Sequence, residues 1–208
     1  MIEIVEAHFE TSAANVTQAP ENPRRDEVAF MARSNAGKSS LLNAITNHKN
    51  LAKVSSTPGK TRLINYFGAT MMDRETSEKL PVSLVDLPGF GYARVSKSIK
   101  HDWEKNLTDF ITKRHQIKLF IHLIDARHPA LDIDRSVQEY LQQILSPGQH
   151  ILRVFTKADK LNQKELGALR RDYPGALIVS SSKKRGIAKV LERIYTHIKE
   201  EEGHVDHL

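Results

Sequence analysis

The chain contains no cysteine. Disulfides, thiolate metal sites and a cysteine nucleophile are therefore excluded, and a reducing cytoplasm is the compartment this fits. No stretch approaches the run of about 18 apolar residues that spans a bilayer, so no membrane partner is expected. The start, Met1-Ile-Glu-Ile-Val-Glu, lacks the basic head and apolar run of a secretory signal. There is no internal repeat, low-complexity tract or interdomain linker. No heptad or long apolar surface stripe stands out, and a monomer is expected. The histidines are scattered without an H-E-x-x-H pair, which removes the obvious zinc hydrolase pattern. Tryptophan occurs once, as Trp103. It and Tyr92 read as packing residues rather than base-stacking platforms.

What remains is 208 residues, enough for one α/β domain with a sizeable core but short for two. The net charge of +6 favours polyanionic partners. Apolar runs alternate with amphipathic helical stretches, the pattern of an α/β fold with a mostly parallel sheet and helices on both faces. The run pattern predicts six strands, at Val28–Ala32, Thr61–Ala69, Leu80–Val85, Lys118–Ile124, Ile151–Thr156 and Ala176–Ser180. Helices are predicted over Lys38–Thr46, Ser98–Lys113, Ile133–Leu145, Gln163–Arg171 and Ile187–Glu200. Residues 1–26 read as an N-terminal extension with one edge element, 27–200 as the folded domain and 201–208 as a flexible tail. Residues 47–60 and 88–97 interrupt the pattern as long loops, and such loops often carry function.

Strand Val28–Ala32 runs into Arg33-Ser-Asn-Ala-Gly-Lys-Ser-Ser40 and then an apolar helix. Strand, loop, helix is the context of a phosphate-binding P-loop. Backbone N–H groups at the helix start suit phosphate oxygens. Gly37 lets the backbone approach, Lys38 supplies charge for the β and γ phosphates, and the Ser39 hydroxyl suits Mg²⁺. The first glycine of the G-x-x-x-x-G-K-[ST] pattern is Ala32 here. That costs little at negative φ and about 1 kcal/mol or more in the left-handed region.

Four further stations follow, each beside a strand end or between two. Asp86-Leu-Pro-Gly89 places a carboxylate where it can hold Mg²⁺ through water, and the Gly89 N–H where it can meet a γ phosphate. Thr57-Pro-Gly-Lys-Thr61 offers a threonine that can ligate Mg²⁺ while a γ phosphate orders its loop. Each of these two also reads as a plain Pro-Gly turn. Thr156-Lys-Ala-Asp159 offers a carboxylate for guanine N1 and N2, a donor pair that adenine lacks, or else a helix N-cap. The Lys157 stem can cover the base. The loop Ser180-Ser-Ser-Lys-Lys-Arg-Gly186 can contact guanine O6 and is the weakest of the set. In a doubly wound sheet, such strand ends gather along one rim.

Together, Arg33-Ser-Asn-Ala-Gly-Lys-Ser-Ser-Leu-Leu-Asn43, Thr57-Pro-Gly-Lys-Thr61, Asp86-Leu-Pro-Gly-Phe-Gly-Tyr92 and Thr156-Lys-Ala-Asp159 resemble the EngB (YihA/YsxC) family of bacterial GTPases. The resemblance runs from about residue 5 to about residue 200. Its specific marks are Pro-Gly-Lys-Thr in the first switch, Leu-Pro-Gly-Phe-Gly-Tyr in the second, and Thr156 where asparagine is usual. It implies a single Ras-like P-loop GTPase domain that binds GTP or GDP with Mg²⁺. It also implies a role in assembly of the large ribosomal subunit, among its rRNA and proteins, with a need in normal cell division and septation.

On these grounds the expected nucleotide-binding set is Ala32, Arg33, Ser34, Asn35, Ala36, Gly37, Lys38 and Ser39; Gly59, Lys60, Thr61, Arg62 and Leu63; Asp86, Leu87, Pro88 and Gly89; Thr156, Lys157, Ala158 and Asp159; and Val179, Ser180 and Ser181. Ser39 and Thr61 are the expected metal ligands, with Asp86 acting through water. Lys38, Asn35, Thr61 and Gly89 are the expected catalytic positions.

Many small GTPases carry a water-orienting glutamine directly after the Asp-x-x-Gly station. Here that residue is Phe90, so slow intrinsic hydrolysis is expected, accelerated by a partner or by K⁺ near Asn35. Asn35 reads equally as a loop residue bonding its own backbone. Two basic groups flank the stations: Lys49, Lys53, Lys60 and Arg62 with Arg94, Lys97 and Lys100, and Lys183, Lys184, Arg185, Lys189 and Arg193. They suit a phosphate backbone or are simply a solvated surface. The competing functional classes are a nucleotide-gated interaction module with negligible turnover and an ATP-using P-loop enzyme such as a kinase.

Overall fold

The run Val28-Ala-Phe-Met-Ala32 is apolar at every position, as a strand covered on both faces requires. In the computed structural model it lies in β2 (Asp26–Ala32), the fourth strand across a seven-stranded sheet. The structure describes residues 1–21, 25–52, 63–90, 105 and 107–205, with side chains as far as residue 200. The other elements are β1 (Ile2–Ala13), α1 (Lys38–Ile45), β3 (Ile64–Asp73), β4 (Lys79–Asp86), α2 (107–113), β5 (Ile117–Asp125), α3 (Asp132–Ile144), β6 (His150–Thr156), α4 (Gln163–Asp172), β7 (Leu177–Ile178) and α5 (Ile187–Val205).

The strand order is β1-β3-β4-β2-β5-β6-β7. From β4 to β7 every pairing is parallel, and β1 and β3 add antiparallel pairs at one edge. The domain is thus α/β with a mostly parallel sheet. Alternate residues of β2 divide its two faces. Val28, Phe30 and Ala32 pack with Leu41, Leu42 and Ile45 of α1 and with Val190, Ile194 and Ile198 of α5. Ala29 and Met31 face Phe110 and Ile111 of α2 and Leu141 of α3. Leu169 of α4 packs with Ile124 and Phe155 in a third, smaller cluster.

The sheet has one strand more than the sequence pattern showed. β1 pairs with β3 along its length, with register shifts between Ile4 and Glu6 and between Phe9 and Thr11. Each shift is a bulge that breaks the period-two alternation by which a strand is recognised. β3 also runs on to Asp73, where the Met71-Met-Asp73 stretch continues the ladder with β1 and β4. Helix α5 runs to Val205, past the expected end at Glu200, through glutamates that favour helix.

Candidate nucleotide site

β2 pairs in parallel with β4 on one side and β5 on the other. The crevice beyond the carboxyl ends of the strands beside such a branch point is the usual ligand position in an open α/β sheet. Four chemistry-bearing residues end strands there: Ala32 of β2, Asp86 of β4, Asp125 of β5 and Thr156 of β6. The register sets Phe30 beside Asp86, Ala32 beside Leu123 and Asp125 beside Thr156.

Ala32 is fully buried and lies in the strand, outside the left-handed region, so it escapes the cost that a positive φ would impose. The left-handed positions of the loop are Asn35, at φ 65°, and Gly37, at φ 93°, the N-cap of α1. Asn35 is exposed and Ala36 buried. Lys38 and Ser39 open α1, where unpaired helix N–H groups gather. The Lys38 ammonium is ion-paired with the Asp86 carboxylate, bringing the phosphate loop and the Asp-x-x-Gly station together. The Asp86 side chain is only 6% exposed. Backbone bonds continue the link. Leu87 N donates to Phe30 O at 3.1 Å, Phe90 N to Ala32 O at 3.1 Å, and Ser34 N to Phe90 O at 3.2 Å. Leu87 and Phe90 are buried in the core under the α2–α3 face, and the intervening Pro88 and Gly89 are also buried.

The third station grips the phosphate loop from behind. The Thr156 hydroxyl donates to Ala36 O at 2.5 Å, with Ile124 O at 3.2 Å. Lys157, itself left-handed at φ 57°, sends its ammonium to Asn35 O and, at 3.0 Å, to Asp125 Oδ2. Asp125 also accepts from Arg127 Nε at 3.0 Å, Nη2 at 2.7 Å and the Arg127 backbone N–H at 3.1 Å. Burial alone would raise the Asp125 carboxyl, but the hydrogen bonds from Arg127 and Lys157 hold it well below the usual carboxylate range. The sequence reading passed over Asp125. Its signal was available: an aspartate closing an apolar strand, as Asp86 does.

Asp159 sits in a 3₁₀ turn, Ala158–Lys160. The Ser180 hydroxyl donates to its Oδ1 at 2.6 Å, and this bond lowers the carboxyl below its ordinary value. Ala158 N donates to Val179 O at 3.0 Å, tying that turn to the last loop. Ser180 is buried, its oxygen also accepts from Lys183 N at 3.2 Å, and Ser181 is half-buried beside it. The loop with the weakest sequence signal therefore orients the carboxylate with one of the stronger ones.

Among the expected site residues, Gly59, Lys60, Thr61 and Arg62 lie outside the described residues, as do Thr57, Tyr92 and Trp103, and Lys53, Arg94, Lys97 and Lys100 of the basic group. Leu63 is described and exposed. Among the described residues no three or more His, Cys, Asp or Glu side chains cluster as a metal site. What the phosphate rim offers is Ser39 and Asp86. One hydroxyl and one carboxylate fit Mg²⁺, which takes few protein ligands and completes its shell with phosphate oxygens and water.

A family model described as a 50S ribosome-binding GTPase matches residues 27–157. A probable GTP-binding protein EngB of Aliarcobacter butzleri is 50% identical over 192 residues, which is 92% of this chain and 96% of that protein. The chain belongs to the EngB family of GTP-binding proteins. The EngB protein of Wolinella succinogenes is 48% identical over 203 residues, 98% of this chain and all of that one. A crystal structure of a probable GTP-binding protein EngB superposes with a TM-score of 0.61 at 20% identity, covering 84% of this chain and 99% of that one. The GTPase Era, crystallised with MgGDPNP and nucleotides 1506–1542 of 16S ribosomal RNA, gives 0.60 at 18% identity, covering 85% of this chain and 57% of that one. At such identities these two likenesses speak for the fold alone. Thr156 ties the end of β6 to the loop before α1 through one hydroxyl, and the Phe90 ring is turned into the core.

Proposed function

We propose that this protein hydrolyses GTP slowly with Mg²⁺ and uses the nucleotide as a switch during large ribosomal subunit assembly, a role on which normal cell division and septation depend. The observation that carries the switch is the physical link between base reader and phosphate loop. Ser180 orients Asp159, and Thr156 and Lys157 of the same turn hold the carbonyls of Ala36 and Asn35. A guanine held by Asp159 thus sets the phosphates against the N–H groups of residues 37–39, at the start of α1. With nucleotide bound, Lys38 would leave Asp86 for the β and γ phosphates, and Asp86 would be free to hold Mg²⁺ through water. Mg²⁺, when bound, would supply neutralisation of the phosphate charge. Ser39 and Thr61 are its proposed ligands. Gly59, Lys60, Arg62 and Leu63 are further proposed nucleotide-binding positions, and the Gly89 N–H is proposed to meet the γ phosphate. K⁺ beside the exposed Asn35 would add charge stabilisation at the β–γ bridge.

The base assignment is tested by competition against fluorescent GDP. ADP should fail to compete. Asp159→Asn should lose GDP and gain xanthosine diphosphate, because the amide N–H meets the xanthine 2-carbonyl; unchanged GDP affinity would refute Asp159 as the reader. Turnover compared in K⁺ and Na⁺ buffers tests the cation, and equal rates would remove it. Buried Phe90, with no polar atom to orient water, favours a second reading: a nucleotide-gated RNA or protein interaction module with negligible intrinsic turnover.

The proposed polyanion contact draws on one described surface. Lys183, Lys184, Arg185, Lys189 and Arg193 are exposed, and the Lys184 ammonium reaches Asn47 Oδ1 at 3.3 Å, joining this group to exposed Lys49 beyond α1.

A further inference from the structure

Arg33 of the phosphate loop and Phe90 after the Asp-x-x-Gly station form a parallel bridge. Their side chains converge on one buried polar group under α3. The Phe90 ring lies on the His122 imidazole, centroids 5.9 Å apart. Arg33 Nε is 4.0 Å from Asp134 Oδ2, and His122 Nε2 is 3.7 Å from Asp134 Oδ1. Gln138, one turn along α3, holds the other ring nitrogen at 3.1 Å. His122 and Asp134 are 0% and 3% exposed. Among the described residues, neither Asp134 oxygen has a hydrogen-bond partner, nor does His122 Nε2 or Arg33 Nε.

A carboxylate buried this far without a hydrogen-bond partner, and with its arginine only at the limit of ion-pair distance, is costly. Complementing the helix dipole does not account for it. Asp132 already stands in the same first turn, exposed, pairing with Arg135 at 2.7 Å.

We propose that Asp134 is a positioning residue for the nucleotide site: its carboxylate holds Arg33 on one side and His122 on the other, and so sets the phosphate loop against Phe90. Both separations are just beyond hydrogen-bond range, so a shift of less than about 1 Å closes either one. A Gly89 that moves toward a γ phosphate carries Phe90 with it, and Phe90 bears on His122. The carboxylate between His122 and Arg33 transmits that displacement to the loop that holds the phosphates. The inference rests on the reading of this site as a GTP switch.

The test measures dissociation constants for GDP and for a non-hydrolysable GTP analogue, with thermal melting alongside, in wild type, Asp134→Asn, Asp134→Glu, Asp132→Asn, Arg33→Gln and the Asp134→Asn/Arg33→Gln pair. Asp134→Asn should weaken the analogue about tenfold or more, and GDP clearly less. Asp134→Glu should recover part of the loss. Arg33→Gln should shift the analogue-to-GDP ratio in the same direction and add little to Asp134→Asn. Asp132→Asn should behave as wild type. A merely structural role would lower the melting temperature and leave the ratio unchanged, and that outcome, or full additivity of the pair, overturns the proposal. If Asp134→Asn does not fold, an unchanged ratio in Arg33→Gln overturns it equally. Failure of wild type to bind either nucleotide would instead sink the GTP reading, and the proposal with it.

Discussion

Replacing Thr156 by alanine removes the donor to Ala36 O, a bond made in the buried interior. A carbonyl left without its partner costs about 1–3 kcal/mol. Denaturant unfolding of Thr156→Ala should show a loss of that size, with weaker GDP binding, since the phosphate loop loses its grip from behind. At Phe90 the expectation runs against the simplest engineering idea. Restoring a glutamine should not accelerate hydrolysis, because the side chain points into the core beside His122 rather than into the crevice. Phe90→Gln should instead destabilise by roughly 1–3 kcal/mol through a buried amide. A turnover assay decides, and a marked gain in rate would contradict this geometry.

At the scale of elements, the turn from β7 into α5 holds Ser180 in place. Gly186 lies at φ +76°, and a Cβ there would meet the Ile178 carbonyl oxygen at 2.5 Å. Gly186→Ala should cost more than about 1 kcal/mol from the backbone alone. Because Ser180 orients Asp159, GDP affinity should fall as well; thermal melting and GDP titration check both halves. This turn also shows what could and could not be read from sequence. The P-loop, the Asp86 station and the Thr156–Asp159 turn are local strings at strand ends, and local chemistry is legible. The bond from Ser180 to Asp159 joins residues 21 apart in sequence, and that from Thr156 to Ala36 joins residues 120 apart. Such pairings depend on which strands end side by side, which no local pattern records. β1 was half-legible for a different reason. Its two bulges scramble the alternation, while Ile2, Ile4 and Ala13 still reach the core.

For the molecule as a whole, acid stability follows from Asp125. Its folded carboxyl is depressed, so its contribution is complete above the unfolded value near 4 and is lost as pH falls below that toward the folded value. Wild type should therefore lose stability more steeply than Asp125→Asn below about pH 4, and the two curves should run parallel between about pH 5 and 8. Urea unfolding at a series of pH values reads this directly. Convergence of the curves on raising the pH would mean the carboxylate is not held by Arg127 and Lys157 as described.

The nucleotide site and the exposed basic residues around it belong to one surface of function only if the nucleotide governs what that surface binds. Co-sedimentation with purified large ribosomal subunits or their precursors tests this most directly, with the protein loaded with a non-hydrolysable GTP analogue or with GDP, at low and high salt. Analogue-dependent pelleting that survives the higher salt is predicted. Equal pelleting in both states that vanishes with salt would be polyelectrolyte attraction alone, and would contradict a nucleotide-switched role on the ribosome.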